Sequence, residues 1–321
     1  MTNFNIPSEL IALAKMFKEI GYDLYLAGPT LRNMLMNLPV DRYTVESIAS
    51  LNQVVEMLRP IKNARVLQTG VGTLLINIKQ DNRQVEIEYS AFDKELLFYI
   101  IPQMPQALAP EPHLIPRLHD FSINCIYYDI LTKTLINPVK GLEDLNNRVL
   151  RIILSDPAVA LQSQPVKIFQ MVRLSCQLDL TIDEATYTAA KDCVAALKTL
   201  KRNDFMLEFN YILLADTLHP RVKTARQIVA KGLSMLKDLG VWEVTVPGFA
   251  YTHKEAEQAD SAEANIPLRL AALLQDLETA KYVLSSKGLD YENAVKEEVF
   301  YILKAKDYIG KGEKEIILAL A

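Results

Sequence analysis

At 321 residues, half of them hydrophobic and 23% charged, the chain can bury roughly three quarters of its unfolded surface and needs neither disulfides nor metals to hold a core. A net charge of −4 excludes a dedicated, strongly basic nucleic-acid binder, and no apolar run approaches the ~20 residues of a membrane span. Cys125, Cys176 and Cys193 are odd in number and lack CxxC spacing, so they read as free buried thiols rather than a redox pair or a zinc site.

The spacing of Leu10, Leu13, Met16, Phe17 and Ile20 predicts a helix over residues 7–20, with Ser8 a candidate N-cap. The organising stretch is YLAGPTLRNMLMNLPVDRYTVE, residues 25–46. Its apolar start predicts a strand, Gly28-Pro29 a tight turn, Thr30 to Leu38 an amphipathic helix, and the segment from Asp41 onward a second strand. Gly28 permits close backbone approach, and the amides opening the next helix favour a phosphate. Leu51 to Leu58 reads as a helix ended by Pro60. Arg65–Gln68, Thr73–Lys79 and Gln84–Tyr89 read as strands, the last two joined at Asp81-Asn82. Glu86 and Glu88 alternate with Val85, Ile87 and Tyr89, the pattern of a half-buried strand showing its glutamates to water. A sharper reading sets one of the two, Glu86 or Glu88, beside Asp41 as a neighbouring-strand carboxylate. Residues 91–116 are loop-like, with five prolines from Pro102 to Pro116.

The glycine turn followed by Arg32 and Leu35 resembles the head-domain signature of the class II tRNA nucleotidyltransferase and poly(A) polymerase family, LxGGxVRDxLLG and then DxDxAT. Pro29 stands for the second glycine and Asn33 for the aspartate after the arginine. The DxD position reads Asp41-Arg42-Tyr43. Two carboxylates two residues apart on a strand share a face and can hold two divalent ions about 3.5–4 Å apart. Tyr43, neutral with an ordinary pKa of about 10, cannot replace one. Asp41 is left as a weak metal ligand and residual catalytic group, with Glu88 the candidate substitute.

Arg117 to Cys125, RLHDFSINC, resembles the family's RRDFTxNA, matching at Asp120, Phe121 and Asn124. The resemblance implies that Asp120 accepts from ribose hydroxyls and that the Asn124 amide meets the incoming nucleotide. Leu118-His119 replaces the arginine pair, which removes a bidentate phosphate donor. Residues 134–153 follow LIDPFGGxxDLxxRxIR, with Pro138, Gly141, Asp144, Leu145, Arg148 and Arg151 in step and Asn137 for the aspartate. A helix over 165–176 falls where the family has EDPLRxLRAxRF. Its base-reading aspartate and arginine become Gln164 and Lys167, while Arg173 is kept; lysine lacks the planar fork, so CTP-versus-ATP discrimination is weakened. Later helices are expected at Asp183–Leu200, Asn203–Leu214 and Val222–Leu239. Beyond Trp242 the sequence is similar to an HD domain in which Gln275 replaces the histidine before Asp276; with His253 this leaves too few ligands for a metal.

The resemblance implies an α+β chain: an N-terminal nucleotidyltransferase head over residues 1–154 with a mixed five-stranded sheet, an all-α neck and body over 155–238, and a degenerate HD-like helical domain over 239–321. Residues 155–235 carry 10 Lys/Arg against 8 Asp/Glu and residues 236–321 carry 10 against 15, so RNA contact is expected in the middle rather than at the end. Three functions stay open: a relative with weakened or lost catalysis that binds RNA or nucleotide, an active RNA 3′-end nucleotidyltransferase using Asp41 and a neighbouring glutamate, and a non-catalytic interaction scaffold. The implied partners are RNA with a tRNA-like 3′ end and CTP or ATP, the implied cofactor is Mg2+ if the protein is active and none otherwise, and a cytoplasmic, membrane-free location is expected.

Overall fold

A computed structural model describes residues 4–69, 72–80, 83–91, 121–154, 156–218 and 227–306. The expected proline-rich loop beyond Ala91, the Asp81-Asn82 turn and the segment from Arg117 to Asp120 lie outside the described residues. The chain divides into two compact units, Met1–Ser155 and Asp156–Ala321.

The first unit opens with α1 (Ser8–Glu19), which buries Leu10, Leu13, Ala14 and Phe17. Pro7, not Ser8, precedes its first turn, and Ile20 lies past its end, 41% exposed. Strand β1 (Tyr25–Leu26) runs into α2 (Gly28–Leu35), which starts two residues earlier than the periodicity suggests because Gly28 takes φ +56° and Pro29 suits a first-turn position. Strand β2 (Tyr43–Ser47) and α3 (Leu51–Leu58) follow, the helix closed by a capping box between Ser50 and Gln53. A meander of β3 (Ala64–Gln68), β4 (Thr73–Gln80) and β5 (Arg83–Ala91) comes next.

The sheet has seven strands, not five, in the order β3-β4-β5-β2-β1-β6-β7, where β6 is Tyr127–Asp129 and β7 is Leu135–Ile136. Strands of three and two residues are too short to show alternation in sequence. They form because the Asp129 carboxylate accepts from Leu131 N at 2.8 Å and Thr132 N at 3.0 Å, and Lys133 turns at φ +60°. Among the described residues of this sheet, β2 and β5 pair in parallel and the other neighbouring strands run antiparallel. One face of the sheet packs Leu26, Val45, Leu74, Ile76, Ile87, Tyr89 and Tyr128 against α1 and α3 as the main core.

Next to the sheet, the ordered motif of residues 134–153 closes on itself. Asp144 of α4 (Gly141–Asn146) is buried; its carboxylate accepts from Ser122 Oγ at 2.5 Å and from Arg151 Nη2 at 3.1 Å. Gly141 is required by close approach: a Cβ there would press into the Ser122 carbonyl and come within 2.8 Å of Ile126 Cγ1.

The second unit is helical: α5 (Pro157–Ser163), α6 (Lys167–Leu178), α7 (Glu184–Asp192), α8 (Arg202–Leu213), α9 (Ala215–Leu218), α10 (Ile228–Asp238), α11 (Val241–Thr245), α12 (His253–Ser261), α13 (Ile266–Leu274), α14 (Leu277–Val283) and α15 (Asn293–Lys306). Trp242 is its aromatic centre, edge-on to Phe209 and Phe249 at 5.1 Å each, with its indole N–H donating to Tyr251 Oη at 2.7 Å. Arg269 is 1% exposed and meets both carboxylate oxygens of Asp216, at 2.6 and 2.7 Å, so helices on either side of residue 239 are tied together. Among the described residues no helix is long and apolar enough to cross a membrane.

Gly141→Ala should lower the unfolding free energy by about 1–3 kcal/mol, because the added methyl meets backbone that cannot step aside. Urea denaturation checks this, and unchanged stability would show that the turn yields.

Candidate nucleotide site

The start of α2 and the edge-to-edge pairing of β2 with β5 set the geometry of the candidate site. Thr30, buried in the first turn of α2, accepts from Thr44 N at 2.7 Å and donates to the Arg42 carbonyl at 3.0 Å. One hydroxyl thereby fixes the helix start on the strand. Gly28 lies against the same strand: a Cβ there would lie 3.5 Å from Thr44 Cγ2, and φ +56° strains any other residue.

Two residues further on, Arg32 is 4% exposed. Its Nη1 donates to Asn124 Oδ1 at 2.9 Å, while Nε and Nη2 both donate to Asn33 Oδ1, at 3.2 and 2.9 Å. Asn33 thus offers a neutral oxygen where the family signature has a carboxylate. Gly28, Arg32 and Asn124 are brought together by α2 and the 3-10 turn Ser122–Asn124. Asp120 lies outside the described residues.

Strand register decides the rest. Thr44 pairs with Glu88 and Glu46 with Ser90, so Arg42, Thr44 and Glu46 alternate onto the same side as Glu86, Glu88 and Ser90. Tyr43 and Val45 alternate onto the opposite, core side with Ile87 and Tyr89. Arg42 closes on the two glutamates: its Nε and Nη2 bond Glu86 Oε1, and Nη1 lies 3.9 Å from Glu88 Oε2. Asp41 sits in an exposed bend before the strand begins, not on it. It lines a cleft with Ser8, Glu9, Tyr43 and Glu86. Burial, with the Glu9 carboxylate adding to it, pushes the Tyr43 phenol above its ordinary pKa, so it carries no charge at neutral pH.

A magnesium ion wants near-octahedral oxygen ligands, commonly with one or two carboxylates and water. Here the paired carboxylates on the polar face are already engaged by a guanidinium. Among the described residues no three His, Cys, Asp or Glu gather as a metal-binding group. The residues present do not fit a two-ion cradle.

Residues 24–151 match the model of the poly(A) polymerase head domain. Over this head segment the chain is similar to the class II CCA-adding and poly(A) polymerase family. It is similar to the CCA-adding enzyme of Streptococcus gordonii, 25% identical over 213 residues, which cover 65% of this chain and 51% of that enzyme. It is also similar to the CC-adding tRNA nucleotidyltransferase of a Synechocystis species, 32% identical over 94 residues, or 29% of this chain and 22% of that one. The match spans about half the length of the first of these relatives. Among solved structures, a tRNA-processing enzyme in its apo form is 20% identical with a TM-score of 0.72, covering 100% of this chain and 87% of that one. The Thermotoga maritima CCA-adding enzyme complexed with tRNA is 16% identical with a TM-score of 0.67, covering 98% and 80%. These structural likenesses show the shared fold.

The positions matched to the family's base-reading pair lie in the second unit. Gln164 ends α5, and Lys167 opens α6 with 6% exposure. Arg173 on α6 bonds Glu208 Oε2 at 2.5 Å and Gln177 Oε1 at 3.2 Å, and its guanidinium carbon lies 5.7 Å from the centre of the Tyr211 ring. The HD-like positions serve helix ends. Asp276 caps α14 through Thr279 N at 2.8 Å and Thr279 Oγ1 at 2.7 Å, which holds its carboxyl below the usual range. Gln275 accepts from Lys306 Nζ at 2.6 Å, and His253 pairs with Glu257 on an exposed turn.

Sequence reasoning passed over Arg42 and Thr30. The signal for Arg42 was present as a cation beside an acidic alternation, but using it requires the register of two strands more than forty residues apart. Thr30→Val should cost about 1–3 kcal/mol of stability, since it strands a buried strand amide, while Thr30→Ser keeps most of it. Chemical denaturation of the two variants side by side measures the difference, and equal losses would contradict the hydroxyl's role.

Proposed function

We propose that this protein binds nucleotide and RNA 3′ ends on a CCA-adding-type frame in which nucleotidyl transfer is weakened or lost. One observation carries the reading: Arg42 lies on Glu86 and Glu88, on the sheet face that adjoins the start of α2. Part of the nucleotide-holding frame is kept. Gly28 allows a phosphate close to the backbone, the α2 amides and the Arg32 guanidinium supply positive potential, and Asn124 orients that guanidinium. Asp120 is the proposed ribose acceptor. Related structures were solved with CTP, with ATP and with tRNA, which supports those ligand classes here.

Transfer needs charge placed against the developing oxyanions, and removing one such group costs about 2.7–4 kcal/mol of transition-state stabilisation. Losses at the metal carboxylates, the arginine pair and the base-reading pair act on one transition state and do not add independently. Binding survives such losses better than chemistry does, because ground-state contacts to phosphate and base do not require the in-line geometry. At the base-reading positions, Gln164 ends its helix and Lys167 is buried and lacks a planar fork, so selection between CTP and ATP is weak.

A second reading keeps activity. Asp41 and Glu86 line one cleft, so a rearrangement that frees Glu86 from Arg42 would set two carboxylates near each other.

Incubation with tRNA lacking its 3′ end, magnesium and labelled CTP or ATP separates the two. The expected outcome is no incorporation, with the tRNA retained on a filter at low salt and released as salt rises. Incorporation that disappears in Asp41→Ala would establish the second reading instead, and neither incorporation nor retention would leave only a scaffold role.

A further inference from the structure

We infer that the Arg42 guanidinium stands in for the divalent cation of the head, so that Glu86 and Glu88 hold no metal ion and nucleotide binds without one. The nucleotide clause rests on the function proposed above; the cation clause rests on geometry alone.

The guanidinium is anchored at its root and engaged at its tip. Its backbone is fixed by Thr30, which takes the Arg42 carbonyl at 3.0 Å and the Thr44 amide at 2.7 Å. Parallel pairing of Tyr43 with Ile87 and Thr44 with Glu88 then sets residue 42 across from Glu86. Arg42 spans both glutamates, bonded to Glu86 and 3.9 Å from Glu88. Glutamates two apart on a strand share a face and repel when unpaired. A positive charge between them relieves that repulsion, and a side chain supplied by the chain itself is present at every metal concentration. Arginine suits the place better than lysine would, because its planar fork reaches two acceptors and it keeps its charge at any physiological pH.

Two of the three tasks a metal cation performs at such a face are neutralising acids and attracting phosphate. Arg42 can do the first fully and the second in part. Its side chain is 51% exposed, so N–H donors remain at the surface for an anion. It cannot do the third task of a metal ion, activating a hydroxyl by lowering its pKa, which agrees with a face that binds and does not transfer.

Manganese serves as the probe ion, titrated into the full chain by calorimetry and water-proton relaxation. The wild type should show no site saturating below about millimolar concentration, whereas Arg42→Asp, which puts a third carboxylate beside Glu86 and Glu88, should gain a site at least about tenfold tighter. The gain should vanish in Arg42→Asp combined with Glu86→Gln. Arg42→Ser, which removes the cation without adding repulsion, should show a smaller gain and covers the case in which Arg42→Asp fails to fold. Wild-type binding as tight as the variants', or no gain in either variant, overturns the cation clause. CTP and ATP binding to the wild type is measured in excess EDTA and in millimolar magnesium. Affinities equal within about twofold are expected, and binding that disappears in EDTA overturns the nucleotide clause. Failure to bind nucleotide in both buffers sinks the proposed function, while the manganese result still decides the role of Arg42.

Discussion

The parallel pairing of β2 with β5 is the constraint on which the head's chemistry depends. In any strand the side chains alternate, so a slip of one residue would exchange the faces completely. The register is held by the core: Val45, Ile87 and Tyr89 are all fully buried. Burying three such side chains contributes about 1.5–3 kcal/mol each, far more than an exposed ion pair. The apolar side of the sheet therefore dictates where Arg42, Thr44, Glu86 and Glu88 go on the polar side. Positions 41 and 42 fall just short of the strand, and the partly buried ring of Tyr43 packs against the edge of the core.

Much of this organisation was legible in the residues. The helices over Ser8–Glu19 and Leu51–Leu58 and the three-strand meander follow from hydrophobic period, while the cap expected at Ser8 does not form. The many ordered matches around Gly141 and Asp144 pointed to a structural motif, and the Ser122–Asp144–Arg151 bonds give it a cause. The two short strands at the far edge were not legible, because Tyr127–Asp129 and Leu135–Ile136 depend on an aspartate-capped turn and on partners supplied by β1. At the candidate site, Gly28, Arg32 and Asn124 could be gathered by motif. Arg42 could not, since its meaning resides in a contact with residues 86 and 88 that local sequence does not contain.

The two units, taken separately, show the same economy of polar groups. In the second unit, Asp276 caps a helix, Gln275 holds Lys306, and Arg173 is tied to Glu208. Arg269, nearly fully buried, is matched by both oxygens of Asp216. A buried charge left alone costs several kcal/mol, and pairing is what makes it tolerable. Three positions matched to the resembled motifs, Arg173, Gln275 and Asp276, are here engaged by partners within the fold. A side chain held this way is a poor metal ligand or base reader, since recruiting it means breaking a bond already made.

The pair between Arg42 and Glu86 is instructive for what it cannot be doing. Both side chains are substantially exposed, 51% and 31%, and exposed ion pairs contribute about 0–1 kcal/mol after screening and side-chain entropy are counted. Stability is therefore a weak reason for an arginine at this position; a serine or threonine would fit an exposed strand start as well. What the arginine changes is the local field. It offsets part of the negative charge that Glu86 and Glu88 bring to this face, beside a helix start and the Arg32 guanidinium. On the function proposed above, an incoming polyphosphate meets a face whose repulsion Arg42 lowers, an effect screened in part by the solvent that reaches both side chains. Electrostatics at the entrance of the site, rather than the strength of the fold, is the property that residue 42 controls.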